Sequence, residues 1–188
     1  MSQRQQIALL KPNVTLTGFS TTGKSTVCRQ LADALGWYHV DTDALITAAT
    51  RRSIEVIFRD DGEPAFRAYE AAALAAALAG CHNVVATGGG AVISPDNRAL
   101  MRARAWVICL SAQPATIIAR LEEAARIEPR PLLAGADPLG RITTLLAQRQ
   151  AFYAEADLIV ETDTLTPTDV TEFILEWLLS RETDRRLA

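Results

Sequence analysis

Val14-Thr15-Leu16-Thr17-Gly18-Phe19-Ser20-Thr21-Thr22-Gly23-Lys24-Ser25 decides the architecture of this chain. The first four residues form a short β-prone run, and the last eight satisfy G-x-x-x-x-G-K-[ST] at every fixed position. A helical pattern follows over 24–35. In that setting the glycines let the backbone turn sharply, so that successive N–H groups converge on a phosphate at the start of a helix. Lys24 adds a point charge for the β- and γ-phosphates, and the Ser25 hydroxyl is placed to ligate Mg²⁺. A glycine turn ahead of an ordinary helix is the plainer alternative, but strand, loop and helix all fall in register. Taken alone, the motif says nucleotide phosphates and nothing about an acceptor.

Outward from this segment, apolar β-prone runs alternate with helical patterns, as in βαβ units on a parallel sheet. Strands are expected at 14–17, 37–40, 84–87, 106–110 and 158–160. Several are continuous rather than alternating, which suits strands covered on both faces. Helices are expected at 24–35, 43–50, 53–60, 63–78, 94–102, 114–123 and 140–154, with a last one at about 168–180 and a frayed end beyond it. The segment 126–138 breaks the rhythm, since its three prolines exclude a regular helix throughout. It also carries Arg126 and Arg130, which suits a lid over a site as well as a simple connection.

Composition narrows the class. The 188 residues are 49% apolar and 22% charged, which fits one domain over 1–188 with a mobile flap. A net charge of −3 gives no basic surplus to suggest nucleic acid or an anionic membrane as partner. The longest apolar run, 71–79, is too short to span a bilayer and reads as an alanine-rich helix close against a sheet. Cys28, Cys81 and Cys109 are far apart, so buried reduced thiols in the cytoplasm are expected, not disulfides or a zinc site. His39 and His82 lack metal-ligand spacing. Only Lys11 and Lys24 of the 19 basic residues are lysines. Codon bias explains this, although arginines also hold carboxylates and phosphates in bidentate fashion.

Two more features lie at the strand ends that share the sheet edge with the phosphate loop. Asp41 and Asp43 flank Thr42 just after 37–40. One acid there can hold the Mg²⁺ shell and the other can accept a hydroxyl proton, or either can simply cap the next helix. Gly88-Gly89-Gly90, after 84–87, permits close approach of another group to the backbone.

The ordered set of 18–26, Asp41-Thr42-Asp43, Asp61-Gly62-Glu63, Phe66-Arg67, Glu70, Gly88-Gly89-Gly90, Arg130-Pro131-Leu132-Leu133 and Arg149 resembles the shikimate kinase family. The likeness runs from about Val14 to Pro167. It implies an α/β P-loop sandwich, a five-stranded parallel sheet in the order 2-3-1-4-5 flanked by helices, with a lid at about 124–138. It further implies ATP-dependent phosphorylation of the shikimate 3-hydroxyl in aromatic amino-acid synthesis by a monomer.

Position by position, the resemblance makes Lys24, Asp43 and Arg130 catalytic. Ser20, Thr21, Thr22, Gly23, Lys24, Ser25, Thr26, Arg130 and Pro167 would meet the nucleotide, with Arg120 or Arg126 beside adenine. Ser25 would ligate Mg²⁺ directly and Asp41 through water. Asp43, Arg67, Gly89, Gly90 and Arg149 would bind shikimate, the two arginines clamping its carboxylate. Ile54, Phe58 and Phe66 would line the pocket. An anionic polyol suits bidentate arginines, and Glu70, three residues after Arg67 on one helix, can orient that guanidinium.

Departures from the family pattern are Thr21, where a glycine is usual, Thr22, where a small residue is common, and Arg51, where glycine is common ahead of R-S-I. Altered loop stiffness without lost binding, and an exposed turn that tolerates Arg51, are expected there. A kinase of the same fold for another small hydroxy acid such as gluconate, or a nucleotide-binding module without an acceptor, would share the phosphate loop. The module would have no use for Asp43, Arg67, Gly90 or Arg149.

Overall fold

The structure, a computed structural model, describes residues 9–125 and 136–186. Its centre is β1 (Asn13–Gly18), buried at every residue. The five strands lie in the order β2-β3-β1-β4-β5 and every pairing is parallel. The others are β2 (Tyr38–Asp41), β3 (Asn83–Ala86), β4 (Ala105–Ser111) and β5 (Leu158–Glu161).

Side-chain alternation along these strands supplies two separate cores. Val14, Leu16, Val84, Ala86, Ile108 and Leu110 face one way, against α1 (Lys24–Leu35) and α8 (Pro167–Arg186). Val85, Val107 and Cys109 face the other way, against α4 (Gly62–Ala79), α5 (Pro95–Arg104) and the end of α7 (Pro138–Tyr153). Helices on both faces of a parallel sheet make the expected three-layer α/β sandwich. The alanine-rich α4 does lie close against the sheet, through Leu74, Ala77 and Leu78. The remaining helices are α2 (Thr42–Thr50), α3 (Ile54–Asp60) and α6 (Pro114–Ala125).

Local chemistry sets the element ends. Helix α1 starts from Gly23 at φ 95° with no side-chain cap, so its first N–H groups stay free for a ligand. It stops at Gly36, φ 69°, whose N–H closes onto the carbonyls of Ala32 and Asp33. Ser53, Ser94 and Asp137 cap α3, α5 and α7. Two features differ from expectation. Helix α8 continues to Arg186 instead of fraying after residue 180, because the arginines and glutamate there are good helix formers. A 3₁₀ turn over Ala91–Ile93 follows the glycines, where no element was expected.

Three non-glycine residues among those described have positive φ: Thr21 (61°), Arg51 (55°) and His82 (63°). Two of them are the departures noted above, standing where the family usually has glycine. Arg51 ends α2 in the left-handed region, exposed, with its N–H on the Thr47 carbonyl. Thr21 is β-branched, so its conformation is strained and has to be held by its surroundings.

Candidate active site

The phosphate loop, the end of β2 and the glycine run after β3 converge on one edge of the sheet. There they enclose a cavity of about 440 Å³ lined by Ser20, Thr21, Gly23, Lys24, Ser25, Thr26, Asp41, Asp43, Thr87, Gly88 and Gly89. Gly18 opens the loop at φ 132°, and a Cβ there would lie 2.2 Å from the Leu110 carbonyl oxygen, so no side chain fits. Thr22 Oγ1 donates to the Phe19 carbonyl at 2.9 Å from within the loop. Thr21 Oγ1 donates to the Ser20 carbonyl at 2.7 Å and reaches the Ile117 carbonyl of α6 at 3.4 Å. These bonds hold the strained Thr21 backbone in place. Lys24 Nζ donates to the Phe19 carbonyl at 2.6 Å. Burial pushes its ammonium down to about 8, against the opposing pull of Asp43 and Asp41.

Asp41 caps the next helix, one of the two roles that its spacing allowed, and turns its other oxygen toward the phosphate loop. Its Oδ1 accepts from the N–H groups of Asp43 and Ala44 at 3.0 and 3.3 Å, capping α2. Its Oδ2 accepts from Ser25 Oγ at 2.8 Å. A hydroxyl and a carboxylate oxygen side by side, next to the phosphate cradle, are the all-oxygen donor set that Mg²⁺ takes. The described residues hold no cluster of three or more His, Cys, Asp or Glu suited to a metal. Mg²⁺ bound largely through water and phosphate needs only one or two protein ligands, so the pair present fits it.

Asp43 lies deeper. Its Oδ1 is buried without a hydrogen-bond partner. Burial and then the neighbouring Asp41 push the carboxyl up, while Lys24 and Arg67 pull it down. The four groups are therefore close enough to feel one another.

Helix α4 delivers the next layer. Arg67 Nη1 donates to Glu70 Oε2 at 2.8 Å, and its Nε and Nη2 donate to Glu63 Oε1 at 3.2 and 2.9 Å. Glu70 is buried, and its other oxygen, Oε1, has no partner. Burial pushes its carboxyl up, against Arg67. A Cβ on Gly88 would lie 2.8 Å from Glu70 Oε1 and 3.0 Å from Asp43 Oδ1, and one on Gly90 only 2.4 Å from Arg67 Nη1. The glycine run thus lets both carboxylates and the guanidinium pack against bare backbone. Arg149, from α7, donates to the Gly89 carbonyl at 3.2 Å and lies over the Phe19 ring. Phe58 stacks on Phe66, beside Arg67. Ile54 packs against the cluster of Ile46, Ile57 and Phe66.

On the other side of the phosphate loop is a second cavity, about 310 Å³, lined by Thr21, Thr22, Gly23, Val27, Arg120, Thr162, Leu165, Pro167 and Val170. It brings Arg120 and Pro167 together. The Arg120 guanidinium is tied to Thr162 Oγ1 at 3.0 Å and to the Thr21 carbonyl at 3.4 Å. Arg126 and Arg130, and with them most of the expected lid, lie outside the described residues.

Three participants had no assigned role in the sequence. Thr42 Oγ1 accepts from the Gly88 N–H at 3.2 Å, joining α2 to the glycine run. Glu63 holds two nitrogens of Arg67, a link that the i, i+4 spacing could have revealed. Tyr153 donates to the Gly89 carbonyl, and its place four residues after Arg149 was the available signal.

The family model described as shikimate kinase matches residues 20–179. This chain belongs to the shikimate kinase family. Shikimate kinase of Symbiobacterium thermophilum is 43% identical over 90% of this chain and 97% of its own length. That of Geobacter metallireducens is 43% identical over 90% of this chain and 93% of its own. Among solved structures, shikimate kinase from Acinetobacter baumannii in complex with shikimate superposes with a TM-score of 0.83. It is 33% identical, over 91% of this chain and 94% of that one. A gluconokinase from Sinorhizobium meliloti, at TM-score 0.60 and 16% identity, shares the fold alone.

Proposed function

We propose that this shikimate kinase family member transfers the γ-phosphoryl group of ATP to the 3-hydroxyl of shikimate, giving shikimate 3-phosphate and ADP. The observation that carries the proposal is the buried, unpartnered Asp43 oxygen between the ammonium of Lys24 and the Arg67–Glu70 pair. A nucleotide-binding module has no use for such a group. A transferase has, because the acceptor hydroxyl must give up its proton as its oxygen bonds to phosphorus and the bond to ADP breaks.

The free N–H groups at the start of α1, with Ser20, Thr21, Thr22, Gly23 and Thr26, hold the phosphates, and Lys24 neutralises charge on the group in flight. Ser25 directly, and Asp41 through water, would hold Mg²⁺, which when bound draws charge from the β- and γ-oxygens. Asp43 takes or orients the hydroxyl proton. Arg67 and Arg149 hold the shikimate carboxylate, with Gly89 and Gly90 presenting backbone to the ring. Arg120 and Pro167, which line one cavity, flank the adenine; Arg126 lies outside the described residues. Arg130 remains the arginine assigned to close over the transferring phosphoryl group, from a lid at about 124–138 of a single 1–188 domain.

No helix among the described residues is long and apolar enough to cross a membrane. Cys28 and Cys109 are buried free thiols, and burial pushes both up to about 11, which keeps them inert, whereas Cys81 is free but exposed, contrary to expectation. The proposal also has the chain working as a monomer in the cytoplasm, without nucleic acid or membrane as partner. Coupled measurement of ADP release tests the function. Release that depends strictly on shikimate is expected, whereas dependence on gluconate alone, or release indifferent to any acceptor, contradicts it.

A further inference from the structure

Gly89 lies at the junction of the two halves of the site. A Cβ on it would stand 3.3 Å from the Gly18 carbonyl oxygen and 3.5 Å from the Ser20 nitrogen, so its peptide is wedged against the phosphate loop. Its carbonyl points the other way, to α7, where two donors end on it. Arg149 Nη1 is at 3.2 Å and Tyr153 Oη at 2.7 Å. A carbonyl oxygen has two lone pairs, so both bonds can form together. The donors are four residues apart on one helix and leave it on the same face.

Of the two bonds, the one from tyrosine is the shorter and the better anchored. The Tyr153 ring is buried in the core cluster of Val85, Val107 and Cys109, under the sheet edge. Burial pushes the phenol up to about 12, so it is a proton donor across any working pH. The Arg149 guanidinium rests on the Phe19 ring, on the same carbonyl and on the Tyr153 hydroxyl itself.

We infer that Tyr153 is a positioning residue for phosphoryl transfer, fixing the Gly89 peptide so that Arg149 needs only one N–H for it and turns the rest toward the acceptor. This inference rests on the assignment of Arg149 and Gly89 to the acceptor pocket. It adds a polar link from the core, through Gly89, to both the phosphate loop and the arginine. Without the phenol, the carbonyl has Arg149 as its one donor from α7, and the guanidinium is drawn away from the acceptor carboxylate.

The test is steady-state kinetics on Tyr153→Phe, which keeps the ring and removes only the hydroxyl, beside Leu100→Ala, which loosens the core cluster that holds the Tyr153 ring from the side of α5. In Tyr153→Phe the KM for shikimate should rise about tenfold, the size of one lost buried hydrogen bond. The KM for ATP should stay within about twofold. Leu100→Ala should lower the thermal midpoint and leave the ratio of the two KM values unchanged. In Arg149→Lys, adding Tyr153→Phe should cost less than it does in the wild-type background, because both act on one carbonyl. An unchanged shikimate KM in Tyr153→Phe, or equal rises in both KM values, overturns the positioning role alone. Absence of shikimate turnover in the wild-type chain overturns the substrate assignment, and this inference with it.

Discussion

In the proposed site, the nucleotide half is built from backbone and the acceptor half from side chains packed on the glycine run. Between Gly18 and α1, what matters is where N–H groups point, and the sequence needs only glycines and one lysine to arrange it. In the acceptor half, Asp43, Arg67, Glu70 and Arg149 come from α2, α4 and α7 and hold one another through charge. A backbone cradle is local, so it is legible as a motif and tolerates Thr21 where glycine is usual, provided α6 and the loop hold it. A side-chain pocket exists only when distant elements meet, and each member is exposed to the loss of another.

The largest expected effect comes from removing the ammonium of the phosphate cradle. Lys24→Met should cut kcat by about 10²–10³-fold or more, since the ammonium acts on the group in flight. Single-turnover measurement checks this, and near-normal turnover would place the cradle elsewhere. Next, Arg67→Ala should weaken shikimate binding about 100-fold with ATP affinity almost unchanged, as calorimetry with each ligand would show. Equal loss of both would erase the division between the halves.

Gly90→Ala sharpens the comparison, because there backbone shape dictates a side-chain position. The new methyl would press on Arg67 Nη1, the mobile end of a side chain, so the fold should survive with the guanidinium displaced. A rise of about tenfold in shikimate KM is expected, with ATP KM within about twofold.

The smallest effect is thermodynamic. Folding raises the Asp43 carboxyl above its ordinary value of 3.8, chiefly by burial. The folded state therefore favours the protonated form, and the ionised form costs stability once pH rises through the raised value. Asp43→Asn should be inactive yet melt higher at pH 7, by about 2–4 °C for each kcal/mol recovered. That advantage should fade as pH falls into the ordinary carboxylate range. A variant that melts lower at pH 7 would show that Lys24 and Arg67 outweigh burial.

The same contrast explains what the sequence revealed. Helix α1 was readable to both ends, because Gly23 opens it and Gly36 closes it. The five strands came within a residue or so, since each is a short apolar run bounded by a turn. The 3₁₀ turn over Ala91–Ile93 was not readable, because three apolar residues after glycines carry no period. Spacing left Asp41 divided between a helix cap and the metal shell, and the structure shows one oxygen capping α2 and the other bonded to Ser25. Tyr153 stayed hidden because an aromatic at a helix end looks like any core residue until the carbonyl that it serves is in view.

Direct titration of shikimate into the wild-type chain, loaded with Mg²⁺ and a non-hydrolysable ATP analogue, is the most immediate test of a pocket made from these arginines. Saturable heat at one shikimate per chain, abolished in Arg67→Ala, is the predicted result. A folded, nucleotide-loaded protein that gives no heat with shikimate would contradict it.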